Sequence, residues 1–187
     1  MVDRAVFLDR DGVICEDTDY LYRTEDLKFI KGSIDAISKL SKTYFKIIII
    51  ASQSGIGRGY YTEEIFHKVM KFMIEEIRKN GGRIDAYYFC PHHSTEGKGK
   101  YRIECKCRKP KIGMLEDAAR EFNLDLKECY VIGDKTDDVK MGENAGCKTI
   151  LVKTGKGGLD GHFDIKPDHV AKDLNEAIKH ITEEEYG

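Results

Sequence analysis

The sequence has little net charge of either sign and no long hydrophobic run. Its 31 Lys and Arg residues nearly balance 33 Asp and Glu residues, for a formal net charge of −2. It therefore lacks the overall basic charge of a typical nucleic-acid-binding domain. Its longest apolar stretch, 47–51, is far shorter than the roughly 20 residues that cross a bilayer. We expect neither a nucleic-acid partner nor a membrane association.

Internal repeats and low-complexity tracts are also missing. A strand-like run begins within the first few residues, so we predict no signal peptide and a cytoplasmic location. The 187 residues suit one domain of ordinary size with a sizeable core. We therefore expect a single domain over residues 1–187, and a monomer.

Six cysteines are too unevenly spaced for a disulfide framework. Three stand alone in the sequence, namely Cys15, Cys129 and Cys147. The others form two short pairs with a histidine, Cys90-x-His92 and Cys105-x-Cys107. Tetrahedral zinc accepts such a set, and four protein ligands leave no open position for catalysis. We predict a structural zinc site in the loop 90–107, with His93 as an alternative to His92.

Strand-like and helix-like segments alternate along the chain. Apolar and β-branched runs predict strands at 6–8, 45–51, 84–89, 130–132 and 149–152. Helical spacing and capping residues predict helices at 33–43, 62–80, 112–122, 137–145 and 173–184. This order predicts an α/β fold, a parallel sheet with helices on both faces. The one long irregular segment, 90–111, holds the proposed zinc ligands.

The first strand ends in two aspartates, Asp9 and Asp11, with Gly12 directly after them. Two such carboxylates can have different roles in a phosphoryl transfer, because one can attack phosphorus while the other transfers protons. A bivalent cation would lower their repulsion. An ordinary Asp-Gly turn is the simpler alternative. A calcium-binding EF-hand loop fits poorly, because it needs a glutamate at the position of Tyr20.

The segments after the other strands carry groups that suit the same reaction, and open α/β sheets bind ligands at these strand ends. Hydroxyls and glycines at 52–59 form a loop type that binds phosphate oxygens. Arg108 and Lys109 could clamp a phosphate, and Asp134 could supply another metal carboxylate. The alternative interpretations are a flexible surface loop at 52–59 and a solvated basic pair at Arg108 and Lys109. A nucleic-acid-binding zinc ribbon would also explain the basic loop, but no aromatic stacking platform accompanies it.

Together these motifs resemble the haloacid dehalogenase-like (HAD) phosphatases. Within them, they resemble the zinc-containing subgroup of D-glycero-D-manno-heptose 1,7-bisphosphate phosphatases and histidinol-phosphatases. The resemblance spans about 6–152 and rests on LDRDG (8–12), QSGIGRG (53–59), CPHH (90–93), CKCRKP (105–110) and GDK (133–135). It implies a Rossmann-like sheet without a large cap domain, with a zinc-bound loop.

The resemblance also implies a reaction. It implies Mg²⁺-dependent hydrolysis of a small phosphorylated sugar through an aspartyl-phosphate intermediate. The segment 53–59 is similar to that of the heptose enzymes, which release the 7-phosphate and leave heptose 1-phosphate. Histidinol-phosphatase, or another small sugar-phosphate phosphatase, is the alternative.

Individual residues receive roles from the resemblance. Asp9 would be the nucleophile, Asp11 the general acid/base and Lys109 the cation that stabilises the phosphoryl group. Magnesium would be held by Asp9, Asp134 and the backbone carbonyl of Asp11. Substrate contacts would come from Asp17, Tyr20, Ser52, Gln53, Ser54, Arg108 and Lys135. Zinc would be bound by Cys90, His92, Cys105 and Cys107.

One position departs from the family. Strand two usually ends in Thr or Ser against the phosphoryl group, whereas here it ends in Ala51, which cannot donate a side-chain hydrogen bond. One lost neutral hydrogen bond is worth roughly 1 kcal/mol. We expect Ser52 to supply the contact, so that Ser52→Ala lowers kcat and kcat/KM for the sugar phosphate. Steady-state constants unchanged in this variant would contradict the expectation.

Overall fold

A parallel sheet organises the computed structural model, which describes residues 3–187. Its six strands are β1 Ala5–Asp9, β2 Lys46–Ser52, β3 Ala86–Cys90, β4 Tyr130–Gly133, β5 Lys148–Val152 and β6 His169–Ala171. They lie in the order β3-β2-β1-β4-β5-β6, and all neighbours are parallel. From β1 the chain adds β2 and β3 on one side, and it then returns to add β4, β5 and β6 on the other side of β1. The carboxyl ends of β1 and β4 therefore flank a topological switch point, where such sheets bind ligands.

The central strands are buried because both faces of the sheet are covered. All five residues of β1 are buried, as expected for an apolar strand of a parallel sheet. Alternate side chains enter two separate apolar clusters, with Leu8 and Ile49 on one face and Phe7 and Ile50 on the other. The sheet therefore holds Asp9, the last residue of β1, on a rigid support.

Six helices accompany the sheet: α1 Ser33–Leu40, α2 Ser54–Arg58, α3 Glu63–Lys79, α4 Gly113–Phe122, α5 Thr136–Ala145 and α6 Leu174–Tyr186. Buried residues of α1, α3 and α6 join the cluster of Leu8, while those of α4 and α5 join the cluster of Phe7. The N-cap side chains of Thr62 and Asp173 accept backbone hydrogen bonds at the starts of α3 and α6.

The predicted α/β fold with helices on both faces is confirmed. The two longest connections between a strand and the next of these helices, 10–32 after β1 and 91–112 after β3, hold only one three-residue 3₁₀ turn each, so within residues 3–187 neither forms a large cap domain. None of the helices in this range combines the length and the apolar character that a membrane span needs.

Two elements differ from the sequence prediction. The strand β6 was not predicted, because only Ala171 of its three residues is buried and no apolar run marks it. A loop was expected after β2, but the five-residue helix α2 forms there instead. Its C-cap residue is Gly59, which has a φ of 81°. Ile56 anchors this short helix in the core, and its tertiary contacts override the weak helical propensity of its glycines.

Candidate active site

A polar cavity of about 620 Å³ opens at the carboxyl edge of the sheet. Eight of the predicted site residues line it, namely Asp9, Asp11, Tyr20, Ser52, Ser54, Arg108, Lys109 and Lys135. They come from five segments of the chain. These residues, which are distant in the sequence, therefore surround one cavity at the strand ends, where such sheets bind ligands.

Three carboxylates meet at one end of the β1 and β4 strands, and two of them, Asp9 and Asp138, line this cavity. One oxygen each of Asp9, Asp134 and Asp138 lies within 4.8 Å of the others, and all three residues are buried. Burial, and then the neighbouring carboxylates, raise the pKa of Asp134 to about 8. The same causes raise the pKa of Asp138 to about 6, although Lys109 opposes them. Like charges are thus held together away from water, which is unfavourable without a compensating cation.

Lys109 reaches two of these carboxylates, Asp9 and Asp138, from the loop that follows β3. Its Nζ donates to Asp9 Oδ1 at 3.0 Å and to Asp138 Oδ1 at 2.7 Å. A third hydrogen bond goes to the carbonyl of Ile50 at 3.1 Å. Burial alone would lower the pKa of this lysine, but Asp138 and Asp9 outweigh it and raise the pKa above its ordinary value. The ammonium therefore stays charged beside Asp9.

Asp138 is not among the residues predicted from the sequence, and the structure gives it two roles. Its Oδ2 accepts from the backbone N–H of Lys135 at 3.1 Å, which stabilises the beginning of α5. Its Oδ1 holds Lys109. Its position in the first turn of α5, directly after the end of β4, was the available signal, because ligand-binding groups gather at such strand ends.

The carboxylates fit a bivalent cation. Asp134 Oδ1 is buried and makes no hydrogen bond within residues 3–187, whereas Oδ2 accepts from the backbone N–H of Lys156 at 2.7 Å. A Cβ atom at Gly12 or Gly155 would lie only 2.2 or 2.1 Å from Asp134 Oδ2, so glycine is required at both positions. Hard oxygen ligands with excess negative charge suit Mg²⁺. The backbone carbonyl of Asp11 stays a predicted ligand.

Asp11 faces a different partner from Asp9. Its carboxylate accepts from Arg10 Nη2 and Nε, at 2.9 and 3.1 Å to Oδ2. Gln53 Nε2 lies 3.5 Å from the same oxygen, and Tyr61 donates to Gln53 Oε1 at 2.6 Å. Gln53, predicted to contact substrate, is buried behind Asp11 and does not line the cavity.

Further charged groups surround the cavity. Lys135 Nζ lies 3.2 Å from Asp17 Oδ2, so two predicted substrate contacts pair with each other. Lys156 and His162 also line the cavity but were not predicted. They belong to the glycine-rich segment after β5, whose Thr154 Oγ1 donates to the carbonyl of Gly12 at 2.6 Å. Glycines and a lysine directly after a strand were the signal that sequence reasoning missed.

The four predicted zinc ligands converge at one point of the loop after β3. Cys107 Sγ lies 2.9 Å from Cys90 Sγ and 3.2 Å from His92 Nδ1. Cys105 Sγ lies 3.6 Å from Cys90 Sγ, and the four ligand atoms are mutually within 4.8 Å. His93 Nδ1 instead accepts from the backbone N–H of Glu96 at 3.1 Å. This geometry favours His92 over His93 as the ligand.

Known proteins share this architecture. A family model described as HAD-hydrolase-like matches residues 106–177. The chain is 43% identical over 154 residues to the D-glycero-beta-D-manno-heptose-1,7-bisphosphate 7-phosphatase of Pasteurella multocida, covering 82% of this chain and 83% of that protein. The Haemophilus influenzae protein of the same name is 39% identical over 184 residues, covering 96% and 99%.

A solved structure is also similar over nearly the whole chain. It is the D,D-heptose 1,7-bisphosphate phosphatase from B. bronchiseptica, complexed with magnesium and phosphate. It matches with a TM-score of 0.86 and 30% sequence identity, covering 98% of this chain and 99% of that one.

Proposed function

Because the chain belongs to the D-glycero-D-manno-heptose-1,7-bisphosphate 7-phosphatase family of HAD-like hydrolases, we propose that it removes the 7-phosphate of this sugar bisphosphate through Asp9. The products are heptose 1-phosphate and inorganic phosphate. The observation that carries the proposal is the buried Asp9 carboxylate, which pairs with Lys109, lies close to Asp134 and lines a cavity that Arg108, Lys135 and Lys156 also line. A single domain, a monomeric state and a cytoplasmic location stay predictions.

The first step forms a bond between Asp9 and phosphorus. Asp9 Oδ1 accepts from the backbone N–H of Arg10 at 2.8 Å and from Lys109 Nζ. These hydrogen bonds orient the carboxylate and leave Oδ2 to attack. The bond from phosphorus to the sugar oxygen breaks, and Asp11 gives its proton to that oxygen. Lys109 stabilises the charge on the transferring group.

The second step releases phosphate. Asp11, now ionised, takes a proton from a water molecule, which attacks the phosphorus of phospho-Asp9. The bond between phosphorus and the Asp9 oxygen breaks, and the free carboxylate returns. Magnesium held by Asp9, Asp134 and the Asp11 carbonyl would supply positive charge against the phosphoryl oxygens. Arg108, Lys135 and Lys156 line the outer cavity, where cations suit the second phosphate of the substrate.

A substrate panel tests this function. We expect phosphate release with Mg²⁺ to have its highest kcat/KM on heptose 1,7-bisphosphate, assayed as both anomers. Histidinol phosphate and hexose phosphates form the rest of the panel. The Asp9→Asn variant, purified in parallel, measures contaminating phosphatases. A clear preference for histidinol phosphate would replace the proposed substrate and keep the phosphatase chemistry.

We further propose a structural zinc ion at Cys90, His92, Cys105 and Cys107. Cys107→Ser is expected to lose the zinc and to lower Tm by on the order of 10 °C, because a structural site contributes folding free energy directly. Activity should fall as well, because Arg108 and Lys109 follow Cys107 directly in the chain. Elemental analysis and thermal unfolding measure both effects.

Cys147→Ser is the matched control for the zinc variant. Cys147 is buried in the core and lies outside the metal cluster. This control should keep one zinc per chain. Full zinc content in Cys107→Ser, or iron in place of zinc in the purified wild type, would contradict the assignment.

A further inference from the structure

Arg10 lies between the two catalytic aspartates in the sequence, but its side chain enters the core. It is 1% exposed. Its guanidinium carbon lies 5.5 Å from the centre of the Phe66 ring, and its Nη1 lies 3.9 Å from Met70 Sδ. Both neighbours belong to α3. A guanidinium in such surroundings needs a paired negative charge, because it has lost its hydration.

Asp11 supplies that charge. It is the only carboxylate within 4.0 Å of the Arg10 guanidinium in residues 3–187. Nε and Nη2 of the guanidinium both contact Oδ2, and Nε is also 3.2 Å from Oδ1. A planar fork of this kind fixes the plane of a carboxylate as well as its distance. Asp11 also lines the cavity, so one carboxylate contacts both the buried cation and the substrate space.

We propose that Arg10 is the positioning residue of the acid/base Asp11. Anchored by α3, the fork holds the Asp11 carboxylate at the cavity wall, where it meets the leaving oxygen and later the water. A carboxyl group offers about four lone-pair sites, so an oxygen that faces the cavity can carry the proton while the fork keeps its hydrogen bonds to Asp11. When the proton goes to the leaving oxygen, the fork stabilises the negative charge that remains. Gln53, held by Tyr61, supports Asp11 from the side. The inference rests on the proposed function, since it requires proton transfer by Asp11.

Two esters with different leaving groups can distinguish a role of Arg10 in positioning the acid from a general structural role of Arg10. A sugar alkoxide needs a proton as it leaves, whereas p-nitrophenolate leaves without one. The ratio kcat/KM covers only the steps up to cleavage of the substrate ester. We therefore expect Arg10→Met to lower kcat/KM about 100-fold for heptose bisphosphate and less than about 5-fold for p-nitrophenyl phosphate.

Three further variants complete the experiment. Asp11→Asn should show the same selective loss. Arg10→Lys keeps the charge without the fork, so its loss should be intermediate. Met70→Leu changes the packing around Arg10 without touching Asp11, and should leave both esters at wild-type rates.

The ratio of the two kcat/KM values decides the proposal. Equal losses on both esters, or no loss, in an Arg10 variant that keeps the wild-type Tm would overturn it. If Arg10→Met does not fold, Arg10→Lys is judged by the same ratio. A uniform loss in Asp11→Asn would instead contradict the acid role in the proposed function, and so tells the two failures apart.

Discussion

Asp9→Asn is expected to lower kcat/KM for the sugar bisphosphate by about 10,000-fold or more, because an amide oxygen is a poor nucleophile toward phosphorus. The variant also cannot form phospho-Asp9. Acid quenching with a substrate labelled in its 7-phosphate should therefore give labelled wild-type protein and unlabelled variant. Phosphate release measured in parallel gives the loss of rate.

The Asp9→Asn variant should still fold. It removes one of three carboxylates that share a buried space, which lowers their mutual repulsion, while Lys109 keeps Asp138 as a partner at 2.7 Å. Asp164→Asn makes the same chemical change at an exposed position and should retain wild-type rate and labelling. Turnover well above contamination in Asp9→Asn would mean that another group attacks phosphorus.

The sheet was predictable because its signals are local. The run from Ile47 to Ile50 indicates a strand covered on both faces, and it forms the buried part of β2. The meeting of Asp9 and Asp134 follows from topology, because parallel strands bring their carboxyl ends to one edge. No single segment contains that information.

The features that sequence reasoning missed depend on side-chain direction or on pairing with distant parts of the chain. An arginine between two aspartates is expected at the surface, because charged side chains are almost never fully buried unless paired. Arg10 is buried because the chain turns it towards Phe66, and only the fold reveals its pairing with Asp11. Lys156 was missed for a related reason, because its place depends on a backbone hydrogen bond to Asp134. The strand β6 forms through pairing with β5 rather than through an apolar pattern of its own.

Asp134→Asn is expected to change activity and stability in opposite directions. Loss of this carboxylate should weaken Mg²⁺ binding and lower kcat/KM by roughly 1,000-fold or more, since the cation offsets charge in phosphoryl transfer. The metal-free protein should become more stable. An asparagine oxygen can still accept the Lys156 N–H, but it adds no charge beside Asp9 and Asp138.

The pH dependence of that gain follows from the raised pKa. Asp134 has a folded-state pKa of about 8, above an unfolded value near 4, so folding takes up a proton between these values. The stability that this provides is complete below about pH 4 and is lost as the pH rises through 8. Asparagine does not titrate, so the metal-free variant should exceed the wild type more at pH 8 than at pH 6. The gain should grow by about 2 kcal/mol between pH 6 and pH 8, or roughly 5 °C in Tm.

Thermal unfolding at both pH values, with and without added Mg²⁺, measures these effects. The Mg²⁺-free samples are prepared by dialysis, because a chelator would also remove a zinc ion from the proposed Cys and His site. Added Mg²⁺ should raise the Tm of the wild type, as a ligand of the folded state does, and should leave Asp134→Asn nearly unchanged. Asp164→Asn, an equal charge change on the exposed surface, should follow the wild type throughout. If Mg²⁺ raised the Tm of Asp134→Asn as much as that of the wild type, Asp134 would not be a Mg²⁺ ligand. If the metal-free variant were less stable than the metal-free wild type at pH 8, the three carboxylates would not repel one another.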